Sequence, residues 1–173
     1  MGFAKKTCKC KHAVVCMFSA LALTTACVDT ASTTQEFRHI DHKLWYAEDT
    51  VTLSITPIGK TGLYAERYML RTDHNYPYEE LFLKVEHRLA SPDMTLCDTV
   101  CLHPVDSSAG TYLLQYVSQP KELHLVNGQH GEICVTHLMH RNPLPAISDV
   151  GVSVLPANQV GNNRWDFLKS IIH

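Results

Sequence analysis

Residues 78–89, YEELFLKVEHRL, decide the fold class because apolar residues recur at every second position along them. Leu81, Leu83 and Val85 fall on one side of an extended chain, and the residues between them fall on the other. A period of two is typical of a strand that buries one of its faces. This stretch therefore predicts a strand with Leu81, Leu83 and Val85 inside a core.

The same period recurs in both directions from this stretch. It predicts further strands over residues 50–56, 133–139 and 150–154. Four more candidate strands lie at 64–71, 94–102, 111–117 and 122–127. Turn-forming residues separate these segments, and Asn127-Gly128 between two apolar runs predicts a β-hairpin. About eight short strands without long helices between them predict an all-β domain, an antiparallel β-sandwich. We expect its core to include Val135, Val152 and Val154.

The first 26 residues have the pattern of an export signal. Four lysines and no acidic residue precede an apolar run over residues 13–23. This run is too short for a bilayer, which takes about 20 residues, but suits a secretory signal peptide. Thr24-Thr25-Ala26 before Cys27 resembles the lipobox of bacterial lipoproteins, although Thr24 replaces the usual Leu, Val or Ile. The alternative is a simple signal peptide cut near Ala26, with Cys27 incidental.

These patterns divide the chain into four segments. We expect a lipoprotein signal peptide at 1–26 and a polar tether at 27–35, with a lipid attached to Cys27. The β-sandwich then spans 36–156. A C-terminal extension follows at 157–173, where residues 163–172 have the apolar spacing of a short helix.

The charge balance argues against one class of partner. The chain has 15 basic and 17 acidic residues. Removing the four leader lysines leaves 11 basic residues against 17 acidic ones, a formal charge of −6. An acidic surface repels phosphates, so we expect no nucleic-acid partner.

Three cysteines remain after Cys27, namely Cys97, Cys101 and Cys134. In an oxidising envelope these residues can form one disulfide, with Cys134 as one partner. Buried free thiols are the other interpretation, and the one that we favour.

The 11 histidines include a pair, His39 and His42, with Asp41 between them. These residue types can bind zinc, but no HExxH or similar motif is present. The neighbouring Glu79 and Glu80 point apart on a strand, which does not suit glycoside cleavage. We therefore expect no metal, no cofactor and no catalytic centre.

Three stretches, in order, resemble the gliding-motility lipoprotein GldH family of the Bacteroidota. The central one is NYPY, residues 75–78, which runs into the alternating strand. It is flanked by LWYAEDTVTLSI at 44–55, with Trp45 and Asp49, and by NPLPAISDVGVSV at 142–154. The resemblance spans residues 37–155.

The resemblance implies a lipid-anchored envelope protein of the gliding apparatus, which is linked to type IX secretion. We expect a binding or scaffolding subunit, held at the membrane through Cys27, facing the periplasm and contacting other motility or secretion proteins. The rival interpretation is an envelope carbohydrate-binding module or hydrolase built on a β-sandwich. Tyr76 and Tyr78 have two interpretations: a rigid start to the strand, or an aromatic contact surface.

Overall fold

The structure, a computed structural model, describes residues 34–73, 76–105 and 113–159. The predicted leader, Cys27 and the expected helix at 163–172 lie outside these residues. Short 3-10 helices occupy Asp41–Lys43 and Ala157–Gln159. The strands within the described ranges are β1 Thr34–His39, β2 Leu44–Trp45, β3 Val51–Ile55, β4 Gly62–Asp73, β5 Leu81–Ala90, β6 Met94–Val105, β7 Leu113–Ser118, β8 Lys121–Leu125, β9 His130–His137, β10 Leu144–Pro145 and β11 Ile147–Pro156.

The main sheet is antiparallel and nearly closed on itself. Its strand order is β1-β11-β4-β7-β6-β5-β9-β3, with β8 paired to the first part of β4. At the seam, β1 meets β3 through side chains: the Thr34 and Thr56 hydroxyls lie 2.8 Å apart, and the Glu36 carboxylate accepts the Ser54 N–H. The all-β antiparallel prediction is confirmed, with the sheet curled into a sandwich or barrel-like form.

The core lies inside this curled sheet, where the alternation predicted it. The six residues expected inside are fully buried: Leu81, Leu83, Val85, Val135, Val152 and Val154. On β5 the intervening Phe82 and Lys84 are exposed. Burying an aliphatic side chain contributes about 1.5–3 kcal/mol, so one misregistered strand would forfeit several such contributions.

The first strand, β1, was not predicted, and it begins inside the expected tether. Thr34 and Gln35 were expected in the polar tether, but both pair with β11. Thr34 is buried, and its hydroxyl also accepts the Thr56 N–H. Polar Thr and Gln carry no alternation signal, and pairing with a distant strand draws them into the sheet.

The hairpin predicted at Asn127-Gly128 is wrong. The turn is present, with Gly128 in the left-handed region at φ +81°. However, β8 pairs with β4, whereas β9 pairs with β5 and β3. The loop at Ile58 holds the turn instead, because its carbonyl accepts the Gly128 N–H at 2.7 Å and its N–H donates to the Gln129 carbonyl. These bonds satisfy backbone N–H and C=O groups of the turn, which in a hairpin would bond between the two flanking strands.

Strand directions give the domain two distinct ends. Strands β1, β4, β6 and β9 run one way, and β3, β5, β7 and β11 run the other. We call the end where β1 begins, at Thr34, the near end. The opposite end is the far end, where β6 and β9 finish and β5 begins at Leu81. Segments that precede β1 therefore meet the domain at the near end.

Candidate functional site

Tyr76 and Tyr78, just before β5, form a cluster with Tyr116 of β7. The Tyr76 ring packs edge-on against Tyr78 at 5.5 Å and against Tyr116 at 5.1 Å between centroids. The Tyr116 hydroxyl donates to the Tyr78 carbonyl at 2.7 Å. Tyr76 is only 6% exposed and its pKa is raised, chiefly by burial. Tyr76 therefore belongs to the core rather than to an exposed surface, and a contact role stays a prediction for the half-buried Tyr78.

Beyond Tyr78 the chain enters β5 and presents an exposed surface. Phe82 is 39% exposed and lies opposite Cys101 of β6 in the register. Leu138, 50% exposed, follows β9 and donates its N–H to the Phe82 carbonyl at 2.8 Å. Leu81 and Leu102 form the next pair in the register, and both are buried. Glu80 and His103 lie one position further along the two chains, on the same outer face as Phe82 and Cys101. We call Glu80, Phe82, Cys101, His103 and Leu138 the far-end patch.

Three members of the far-end patch carry metal-ligating groups. One ligand atom each from Glu80, Cys101 and His103 lies within 4.8 Å of the other two. The Cys101 Sγ is 3.7 Å from His103 Nε2, and His103 Nδ1 is 3.8 Å from Glu80 Oε1. The pKa of the Cys101 thiol is raised, mainly by burial and to a smaller extent by the negative charge of Glu80. The sequence analysis missed this group, although Cys-x-His on a strand places both side chains on one face.

His39, Asp41 and His42, the possible zinc ligands considered from the sequence, do not form a group of this kind. His39 Nδ1 lies 3.4 Å from Asp149 across the β1–β11 pair. Asp41 and His42 are exposed in the short 3-10 helix. Their ligand atoms and that of His39 do not all come within 4.8 Å of one another. The spacing that suggested a zinc pair on a helix has no such geometry here.

The three cysteines in the described ranges are free thiols, but the expectation that they are buried holds for Cys134 alone, because Cys97 is exposed and Cys101 half-buried. Cys97 and Cys134 both lie opposite Glu86, on the strands that flank β5. Two strand spacings separate them by about 10 Å, whereas a disulfide needs Cα atoms within about 7 Å. The strand order therefore keeps this pair apart.

A buried polar group lies between β4 and β5, inside the sheet. Glu66 Oε1 and His87 Nε2 are 2.7 Å apart, with both side chains no more than 3% exposed. The Tyr68 hydroxyl is 3.3 Å from the same Nε2. Burial, and then the Glu66 charge, raise the pKa of Tyr68, so its hydroxyl stays protonated. The sequence does not reveal this group, because His87 lies 21 residues from Glu66 on a different strand.

A sequence model of a known family matches most of the chain. The model describes the GldH lipoprotein family, and it matches residues 32–154. The chain belongs to the GldH lipoprotein family. Membership implies a lipid-anchored envelope protein that is associated with a membrane. Within the described ranges, none of the helices has the length and hydropathy to span a bilayer.

Two solved structures are similar to this GldH lipoprotein. The globular domain of zebrafish complement 1qA protein has a TM-score of 0.40 and 11% identity, covering 72% of this chain and 96% of its own. The Eiger TNF from S. frugiperda has a TM-score of 0.33 and 10% identity, covering 76% and 98% respectively. A search of curated proteins finds no match.

The stretches that carried the GldH resemblance have structural roles here. Trp45 is fully buried, and its indole N–H donates to the Asp49 carbonyl at 2.8 Å. Its backbone pairs with Leu144 in the small β2–β10 sheet. At Gly151 a Cβ would lie 2.5 Å from the Phe37 ring, closer than such contacts allow. These residues of the GldH lipoprotein hold the fold, so they do not themselves form an exposed site.

Proposed function

We propose that this GldH lipoprotein is anchored in the cell envelope by a lipid on Cys27 and acts as a non-enzymatic binding or scaffolding subunit. We place it in the gliding-motility machinery linked to type IX secretion, facing the periplasm. The observation that carries the proposal is the family match over residues 32–154, which begins five residues after Cys27.

The position of Cys27 relative to the sheet supports an oriented scaffold. Thr34 starts β1 at the near end, seven residues after Cys27. Seven residues span at most about 25 Å, so a lipid on Cys27 keeps the near end close to the membrane. The far-end patch then points away from the bilayer. That is where a partner in the envelope would meet the domain.

The distribution of side chains supports a binding role rather than catalysis. Among the described residues, the closest carboxyl–imidazole pair is Glu66 with His87, which is sealed inside the sheet and out of reach of a substrate. Two exposed apolar side chains, Phe82 and Leu138, are instead neighbours at the far end, where the Leu138 N–H donates to the Phe82 carbonyl. Apolar patches of this kind are typical of contact surfaces, in which aromatic residues contribute most of the affinity.

Replacing the acylated cysteine is expected to release the protein. A Cys27→Ser variant should lose its lipid and move from the membrane fraction to the soluble fraction, because serine offers no sulfur for acylation. Stable anchoring needs two or three acyl chains, and all of them are attached at Cys27. The variant should therefore leave the membrane fraction almost completely. Mass spectrometry of the mature amino terminus and fractionation of the envelope measure both effects.

A second cysteine provides the matched control. Cys16 lies within the predicted apolar run, so Cys16→Ser should leave the mature lipoprotein unchanged. A mature terminus at any residue other than Cys27, or an unmodified one, would contradict the anchor. Degradation of the protein by protease added to intact cells would contradict the periplasmic orientation.

The far-end patch is expected to contact the partner proteins. A photo-crosslinking residue at position 82 should yield adducts with motility or secretion proteins of the envelope. The same residue at position 63, an exposed leucine at the near end, is the control and should not yield them. Identical adducts from both positions would contradict a directed scaffold. Adducts with glycan alone would favour the carbohydrate-binding alternative.

A further inference from the structure

The far-end patch combines three different metal-ligating groups on one exposed face. Cys101 and His103 lie two residues apart on β6, so both point outward, and Glu80 reaches them from the start of β5. We infer that Glu80, Cys101 and His103 form a surface binding site for a divalent ion of the zinc class. Neither the family match nor the solved structures assign such a site.

The observed separations are close to those that zinc requires. A tetrahedral ion bound at about 2.0–2.3 Å holds its ligand atoms about 3.3–3.8 Å apart. The Cys101 Sγ and His103 Nε2 are already 3.7 Å apart. The Glu80 Oε1 faces the other ring nitrogen, Nδ1, at 3.8 Å, but this carboxylate is 55% exposed, so a rotamer change can bring its oxygen toward Nε2 without moving the backbone.

The chemistry of the three groups favours this class of ion. Thiolate, imidazole and carboxylate together suit zinc, whereas magnesium and calcium prefer oxygen ligands alone. Binding would deprotonate the Cys101 thiol, and the proton would pass to solvent. Three protein ligands leave a fourth position for water, because this face is exposed.

This inference departs from the sequence-based expectation of no metal. That expectation considered His39, Asp41 and His42, which lie close together in the sequence. The present group depends on the register of β5 against β6, which places Glu80 beside His103. An exposed site of this kind exchanges its ion and contributes little to folding, unlike a structural zinc site.

Cobalt titration of the full lipoprotein, purified from membranes in detergent, tests the inference. Co²⁺ should bind in one equivalent with a thiolate-to-cobalt charge-transfer band and the intense visible bands of a four-coordinate ion. Added Zn²⁺ should abolish these bands by competition. Cys101→Ser should remove the charge-transfer band, and His103→Ala or Glu80→Gln should weaken binding by at least about tenfold.

Cys97 provides the matched control, because it is exposed on the same face of β6 and lies outside the group. Cys97→Ser should keep the full cobalt spectrum. Absence of the charge-transfer band in the unaltered protein, or its persistence in Cys101→Ser, would overturn the inference. Circular dichroism checks that each variant is folded, and Glu80→Gln, which alters only an exposed side chain, provides an independent variant.

Discussion

Replacing His87 with leucine is expected to lower the free energy of unfolding by about 3–5 kcal/mol. The substitution takes the imidazole away from the Glu66 carboxyl, which faces it at 2.7 Å inside the sheet. Glu66 Oε2 and His87 Nδ1 already have no hydrogen-bond partner among the described residues. A buried carboxyl that loses a partner keeps its desolvation cost, and the neighbouring Tyr68 hydroxyl replaces only part of the lost interaction.

The double variant distinguishes this pair from ordinary core packing. Glu66→Met combined with His87→Leu should recover most of the stability that either single substitution loses, because apolar side chains of similar size often replace a buried pair without loss. Unfolding in urea, with a double-mutant cycle over the four proteins, measures the coupling between the two residues.

An outward-facing neighbour is the control for this cycle. Glu86 precedes His87 on β5 and pairs with the exposed Arg88. Glu86→Gln should leave the unfolding midpoint nearly unchanged, since exposed ion pairs contribute little. Additive losses for Glu66→Met and His87→Leu would contradict the coupled pair.

Replacing Trp45 with alanine should cost about 3–5 kcal/mol of stability. The indole is fully buried, packs edge-on against the His137 ring at 5.3 Å, and donates to the Asp49 carbonyl. Alanine would leave a cavity next to that imidazole, which is itself buried. Burial lowers the pKa of His137, and its neutral ring donates from Nε2 to the Trp45 carbonyl at 3.1 Å.

The adjacent tyrosine makes this prediction specific. Tyr46 is 44% exposed, so Tyr46→Ala should change stability by no more than about 0.5 kcal/mol. Trp45→Phe should give an intermediate loss, because it keeps an aromatic ring but loses the N–H donor. Chemical denaturation of the three variants measures the order. Equal midpoints for Trp45→Ala and Tyr46→Ala would show that the indole does not support the far end.

Much of the fold was predictable because a strand records its burial in its own sequence. Leu81, Leu83 and Val85 face the core since side chains on a strand alternate between two faces, and this needs no knowledge of neighbouring strands. The Asn127-Gly128 turn was predictable for the same local reason. The strand that pairs with β8 was not predictable, because this partner, β4, lies more than fifty residues away along the chain.

The candidate site depends on tertiary structure to a greater degree. The sequence by itself determined most of the strands, their apolar faces and the resemblance to the GldH family. Only the tertiary structure decided that Glu80 lies beside that pair, that Glu66 meets His87, and that Tyr76 is buried. Each of these contacts joins different strands, and strand order and register follow from packing the whole sheet at once.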